Sequence, residues 1–106
     1  MKETRIYVGL NDSKQSKQLY NTGDYISALG SICGCYRTSF SFSIIQGGYY
    51  SVPGELTTEN TLLLTLIDVE DKIVDEIAKD LCVFFHQDSV LITTSNVESR
   101  VIKEKL

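Results

Sequence analysis

Tryptophan is absent from this 106-residue chain, proline and histidine occur once each, and ten Lys and Arg face fourteen Asp and Glu. Each scarcity excludes something. A net charge of −4 with few basic residues supplies no concentrated basic surface, which argues against a direct grip on nucleic acid. The same acidity would suit a different relation, in which the chain occupies the basic groove of a nucleic-acid-binding partner. No apolar run approaches the roughly eighteen residues of a membrane span, and no secretory h-region precedes the first strand, so no membrane association is expected. Three cysteines in no framework spacing point to free thiols in a reducing compartment, and so to the cytoplasm.

What is present is an ordinary globular composition, 42% hydrophobic and 23% charged, enough for one core in one domain spanning residues 1–106. Two hydrophobic periods alternate along it. Ile6, Val8 and Leu10 share one face of a strand over Arg5 to Leu10. A polar first loop runs from Asn11 to Thr22, with Leu19 and Tyr20 as its only apolar residues. Asp24 then caps a helix from about Tyr25 to Tyr36, striped by Tyr25, Ile26, Leu29, Ile32, Cys33 and Tyr36. Phe40, Phe42 and Ile44 alternate with serines in a second strand. Gly47-Gly48 is expected to be a bulge or hinge, opening a projecting hairpin arm over residues 47–60 whose turn is the type II pair Pro53-Gly54. Thr61 to Val69 is apolar on both faces and reads as a central strand. A second helix, capped by Asp68 or Glu70, carries Ile73, Val74, Ile77, Ala78, Leu81 and Phe85 on one stripe. Ser89 to Thr94 makes a fourth strand. The charged tail over residues 95–106 is expected to add a short edge strand.

Strand, helix, strand, strand, helix, strand is the order of the ferredoxin-like α+β plait, two helices on one face of a four-stranded antiparallel sheet. The other face would display Tyr7, Leu63, Ile67 and Leu91, an apolar set that implies self-association, a dimer as the first expectation.

Chemistry-bearing patterns are few. Cys33-Gly34-Cys35 is half of a metal motif, but one further Cys and one His do not complete it, and Cys33 lies on the buried stripe; no metal and no cofactor is expected. His86, at the end of the second helix, suits the negative end of the helix dipole. The acids from Asp68 to Glu76 suit the start of that helix. On the arm, Tyr49 and Tyr50 either close over a ligand or merely pack the hairpin edge.

Several segments resemble a family of small uncharacterised bacterial and phage α+β proteins, a domain of unknown function. They are the opening Glu3-Thr4-Arg5-Ile6-Tyr7-Val8-Gly9-Leu10, then Gly47 to Tyr49, Glu59-Asn60-Thr61, and Phe85-His86-Gln87-Asp88-Ser89-Val90-Leu91. Tyr49 stands where that family would carry tryptophan. The resemblance implies the same fold and groups Arg5, Gln87 and Ser89. With no enzyme motif in view, the expected function is a non-enzymatic binding or regulatory protein that self-associates through its open sheet face or arm. It would be an accessory or inhibitor protein of a phage or mobile element with a host protein as partner. Tyr49, Tyr50, Arg5, His86, Gln87 and Ser89 would bind ligand or partner. The alternative is a small dimeric α+β barrel enzyme with a pocket near Arg5 and His86.

Overall fold

The computed structural model describes residues 1–50 and 54–105. Its elements follow the expected order: β1 (Lys2–Gly9), α1 (Thr22–Cys35), β2 (Ser41–Tyr50), β3 (Leu56–Ile67), α2 (Asp71–Phe84) and β4 (Leu91–Asn96). The strands pair antiparallel in the order β2-β3-β1-β4. This is the ferredoxin-like plait.

The core lies between the sheet and the two helices. Ile6, Val8 and Leu10 from β1 and its exit meet Leu62, Leu64 and Leu66 from β3 on one face of the sheet. Leu29, Ile32 and Cys33 of α1 and Val74, Ile77 and Leu81 of α2 close over them. Burial of that size is what holds a domain of this length together. Tyr36 at the end of α1 donates to Asp80 of α2 across 2.8 Å, tying the helices at their outer edge.

The helix ends differ from the sequence reading in instructive ways. Asn21, not Asp24, caps α1: its Oδ1 accepts the Asp24 N–H at 3.0 Å, which places Asp24 inside the first turn. Such a cap is worth about 1 kcal/mol. Glu70 occupies the N-cap of α2 without a side-chain bond, while Asp68 accepts the Lys2 N–H at 2.7 Å and so fastens the start of β1. After α2, His86 takes a left-handed backbone (φ 53) and the Gln87 N–H reaches back to the Cys82 carbonyl at 2.9 Å. That closing turn is usually made by glycine.

The arm also differs from expectation. β2 and β3 pair without a slip from Ser41↔Thr65 to Tyr50↔Leu56, so Gly47-Gly48 sits inside a continuous ladder and forms no bulge. The expected Pro53-Gly54 turn falls partly outside the described residues. Beyond Ile44↔Leu62 the two strands run on past the helices, and the radius of gyration rises to 15.5 Å against roughly 13 Å for a compact domain of this size. Among the described residues the tail adds no strand of its own: Ser95 and Asn96 end β4 opposite Glu3 and Lys2, Val97 and Ser99 bond Met1, and Val101 and Ile102 are 79% and 82% exposed. None of the helices among the described residues is long and apolar enough to cross a membrane.

Candidate functional site

At the root of the arm a carboxylate stands in a space cleared by glycines. Register puts Gly47 directly opposite Glu59 and Gly9 opposite Thr61, all on the sheet face that carries no helix. A Cβ at Gly9 would stand 2.5 and 2.7 Å from the two Glu59 carboxylate oxygens, and one at Gly47 would stand 2.8 Å from Thr61 Oγ1. Glycine inside a strand often marks such a close approach. Glu59 thus lies across a side-chain-free strip of backbone, a trough in the open face that its own carboxylate occupies over Gly9.

Glu59 is held by the first loop. Its Oε2 accepts the Asn11 N–H at 3.1 Å, and the Asn11 carbonyl accepts from Gln87 Nε2 at 2.6 Å. The backbone of one residue, Asn11, therefore links the carboxylate to the turn after α2. On the opposite face Asn60 accepts from Gln46 at 2.7 Å and donates to Gln18 at 3.0 Å, while its carbonyl accepts the Leu10 N–H at 2.9 Å. The arm root is thus fixed from both faces. Among the described residues no Lys, Arg or His forms an ion pair with Glu59. A half-buried carboxylate without a cationic partner is free to meet a cation from outside.

The residues singled out from the sequence divide between the two layers. Tyr7, Leu63, Ile67 and Leu91 all lie on the open face, as expected from their register. Tyr49 shares that face two residues beyond Gly47, but Tyr50 alternates to the other side and is 76% exposed, so the two tyrosines do not face one ligand. Arg5 is also on the open face. The Tyr7 hydroxyl first, and then Glu3 at 2.8 Å, push its pKa up. His86 stands in the helix layer with Nδ1 3.0 Å from Asp12 Oδ2, and its carbonyl accepts the Ser13 N–H. Asp12 in turn is held below the usual carboxylate range by the N–H groups of Gln15 and Lys14, with His86 adding to them. Arg5 and His86 therefore belong to opposite sides of the sheet, and no common pocket forms around them. Gln87 joins the trough through Asn11; Ser89 is exposed. Cys33 is buried, which pushes its thiol up to about 11.

Two groupings were missed in the sequence. Glu59 was visible only as part of a short motif, and its dependence on Gly9 and Asn11 spans three elements. The second is a cleft of about 400 Å³ between α1 and α2, lined by Tyr20, Asp24, Tyr25, Ala28, Phe84 and Phe85. Tyr25 and Phe85 read as core stripe, and nothing local marks the outer rings as their companions.

No protein-family model and no curated protein sequence matches the chain. Among solved structures, the chain is similar to a phage SAM lyase in complex with S-methyl-5'-thioadenosine, with 26% identity and a TM-score of 0.69 over 89% of this chain and 79% of that one. The apo state of a phage SAM lyase gives 28% identity and a TM-score of 0.70 over 89% and 78%. CutA1 from Oryza sativa shares the fold at 13% identity, with a TM-score of 0.59 over 95% and 84%. Likeness to an enzyme over nearly the whole chain overturns the expectation of a non-enzymatic regulatory or inhibitor protein. The alternative placed near Arg5 and His86 fails on geometry, since the sheet separates them.

Proposed function

We propose that this chain is a lyase acting on S-adenosylmethionine, with the open-face trough as its substrate site and Glu59 as the carboxylate that receives the amino-acid end of the substrate. The observation that carries the reading is the Glu59 carboxylate, unpaired by any described cation and held over glycine-cleared backbone, in a chain similar to a phage SAM lyase over 89% of its length.

The chemistry follows from the substrate. A sulfonium sulfur is a leaving group that needs no protonation. Breaking its bond to the four-carbon amino-acid unit sends the electron pair to sulfur and releases neutral S-methyl-5'-thioadenosine. Without water, the four-carbon unit completes its valence either by losing a Cβ proton to a base or by closing its own carboxylate onto Cγ. In both routes positive charge disappears at sulfur, so an anion placed against the sulfur would hold the ground state more tightly than the transition state. Glu59 is productive at the other end: it fixes the α-ammonium, or takes the Cβ proton, while Tyr49 offers a ring to the apolar and aromatic parts.

Ile45, Ile67 and Leu91 remain 38%, 44% and 60% exposed on this face, with Tyr7 and Leu63 half-buried among them. A second copy covering the face would bury them and give the trough its missing wall, which supports a homo-oligomer. The free thiols fit the cytoplasm, where the substrate is made, and the likeness to a phage enzyme fits a phage origin.

The test is direct. Purified protein is incubated with S-adenosylmethionine and S-methyl-5'-thioadenosine is followed by mass spectrometry, together with the four-carbon product; elimination and ring closure give isomers of equal mass, told apart because only the lactone takes up water to become homoserine. The wild type should form both products. Glu59→Gln keeps the shape and loses the charge; a charged hydrogen bond worth about 1.5–3 kcal/mol corresponds to a loss of roughly 10- to 150-fold. Full activity in a folded Glu59→Gln variant would remove Glu59 from the site.

A further inference from the structure

The cleft between the helices lies on the far side of the sheet from the trough, and nothing in the lyase reading uses it. We infer that it is a second binding site, for a small cation with an alkylated onium head, a quaternary ammonium or a sulfonium. The walls are aromatic and come from three places in the chain: Tyr20 from the first loop, Tyr25 from the first turn of α1, and Phe84 and Phe85 from the end of α2. The rings stand edge to face. Tyr20 and Tyr25 are 5.9 Å apart at 69°, and Tyr25 and Phe85 are 5.0 Å apart at 70°. Tyr25 is pinned by its hydroxyl donating to the Leu10 carbonyl at 3.3 Å, so the inner wall is rigid. Tyr20 and Phe84 are 52% and 61% exposed, which leaves ring surface open on the outer side.

Charge sets the choice of occupant. Among the described residues, the one charged side chain lining the cleft is Asp24, and no Lys or Arg lines it. The last turn of α2 beside it carries no basic residue, so no cationic side chain of that helix answers its negative end, although the Cys82 and Phe85 carbonyls accept from Gln87. Two further groups nearby are already engaged. The amide end of α1 is answered by Asp24 in its own first turn, and His86, whose ring is 6.5 Å from that of Tyr20, is taken by Asp12 at 3.0 Å. Ring faces with a carboxylate at the lip select cations whose charge is spread over methyl groups, because these shed water readily and still feel the ring quadrupole. A volume of about 400 Å³ suits a small molecule and lies in the range of small-ligand sites.

Choline is the probe, with 3,3-dimethylbutan-1-ol as the neutral molecule of the same shape, and binding is read from the ring resonances of Tyr20 and Phe84 by NMR titration. Choline should shift both in a saturable way and bind at least tenfold more tightly than the alcohol. Asp24→Asn should weaken choline several-fold and leave the alcohol unchanged; Asp24 is exposed, so the variant should fold. Phe84→Ala should weaken both. Glu59→Gln should leave choline binding intact, which separates this site from the trough whether or not the chain is a lyase. Equal affinity for choline and the alcohol, no saturable shift at either ring, or loss of choline binding in Glu59→Gln would each overturn the assignment.

Discussion

Gly9→Ala probes the trough with a single methyl group. The added Cβ would meet the Glu59 carboxylate at 2.5–2.7 Å, and the neighbour that must yield is the far end of a flexible side chain. Glu59 should therefore swing away, breaking its 3.1 Å bond from the Asn11 N–H. Losing a hydrogen bond to a charged group costs about 1.5–3 kcal/mol. Alanine returns about 0.4–1 kcal/mol by restricting the unfolded chain. The net is a destabilisation of roughly 1–2 kcal/mol, or about 5–10 °C in Tm for a domain of this size. Turnover of S-adenosylmethionine should fall as far as it does in Glu59→Gln. A double-mutant cycle isolates the cause: a Glu59→Ala background removes the three atoms nearest the methyl group, and Gly9→Ala should there be neutral or stabilising. Thermal melts of the four proteins give the coupling. Gly9→Ala as stable and active as the wild type, or equally harmful with Glu59 already removed, would refute the link between the two residues.

Leu81→Ala should cost about 2–5 kcal/mol through the cavity left in a fully buried site, read from denaturant midpoints at an unchanged m-value. The Tyr36 hydroxyl, held by Asp80, has its pKa pushed up to about 12. Its folded value lies above its unfolded one near 10, so the stability it contributes is complete below the unfolded value and lost as pH rises towards the folded one. Tyr36→Phe should flatten that alkaline decline in melts taken across the range. Tyr49→Ala should lower turnover while Tyr50→Ala should not, since the two point to opposite faces; Tm should stay within a few degrees for both, because neither touches the core.

The order of elements was legible because the core-facing residues keep strict periods: Ile6, Val8 and Leu10 at two, and Val74, Ile77, Ala78 and Leu81 at helical spacing. The ends were not. Gln46, Gly47, Glu59 and Asn60 interrupt the apolar alternation, yet the backbone ladder runs through them, so the arm is longer and straighter than the pattern of side chains suggests. Asp24 resembles a cap, but Asn21 has the geometry for it. The trough depends on Gly9, Asn11, Gly47, Glu59 and Gln87, which come from β1 and its exit, the arm and the turn after α2. Gly9 inside an apolar strand was the one local signal. No period relates it to Glu59, fifty residues on; only the register of β1 with β3 does.

The measurement that bears most directly on the account is the fate of S-adenosylmethionine incubated with the purified chain, followed by mass spectrometry beside the Glu59→Gln protein. S-methyl-5'-thioadenosine should accumulate as the substrate disappears, and the variant, equally folded, should form it at least tenfold more slowly. Intact S-adenosylmethionine with the wild-type protein, or equal rates in the two, would contradict it.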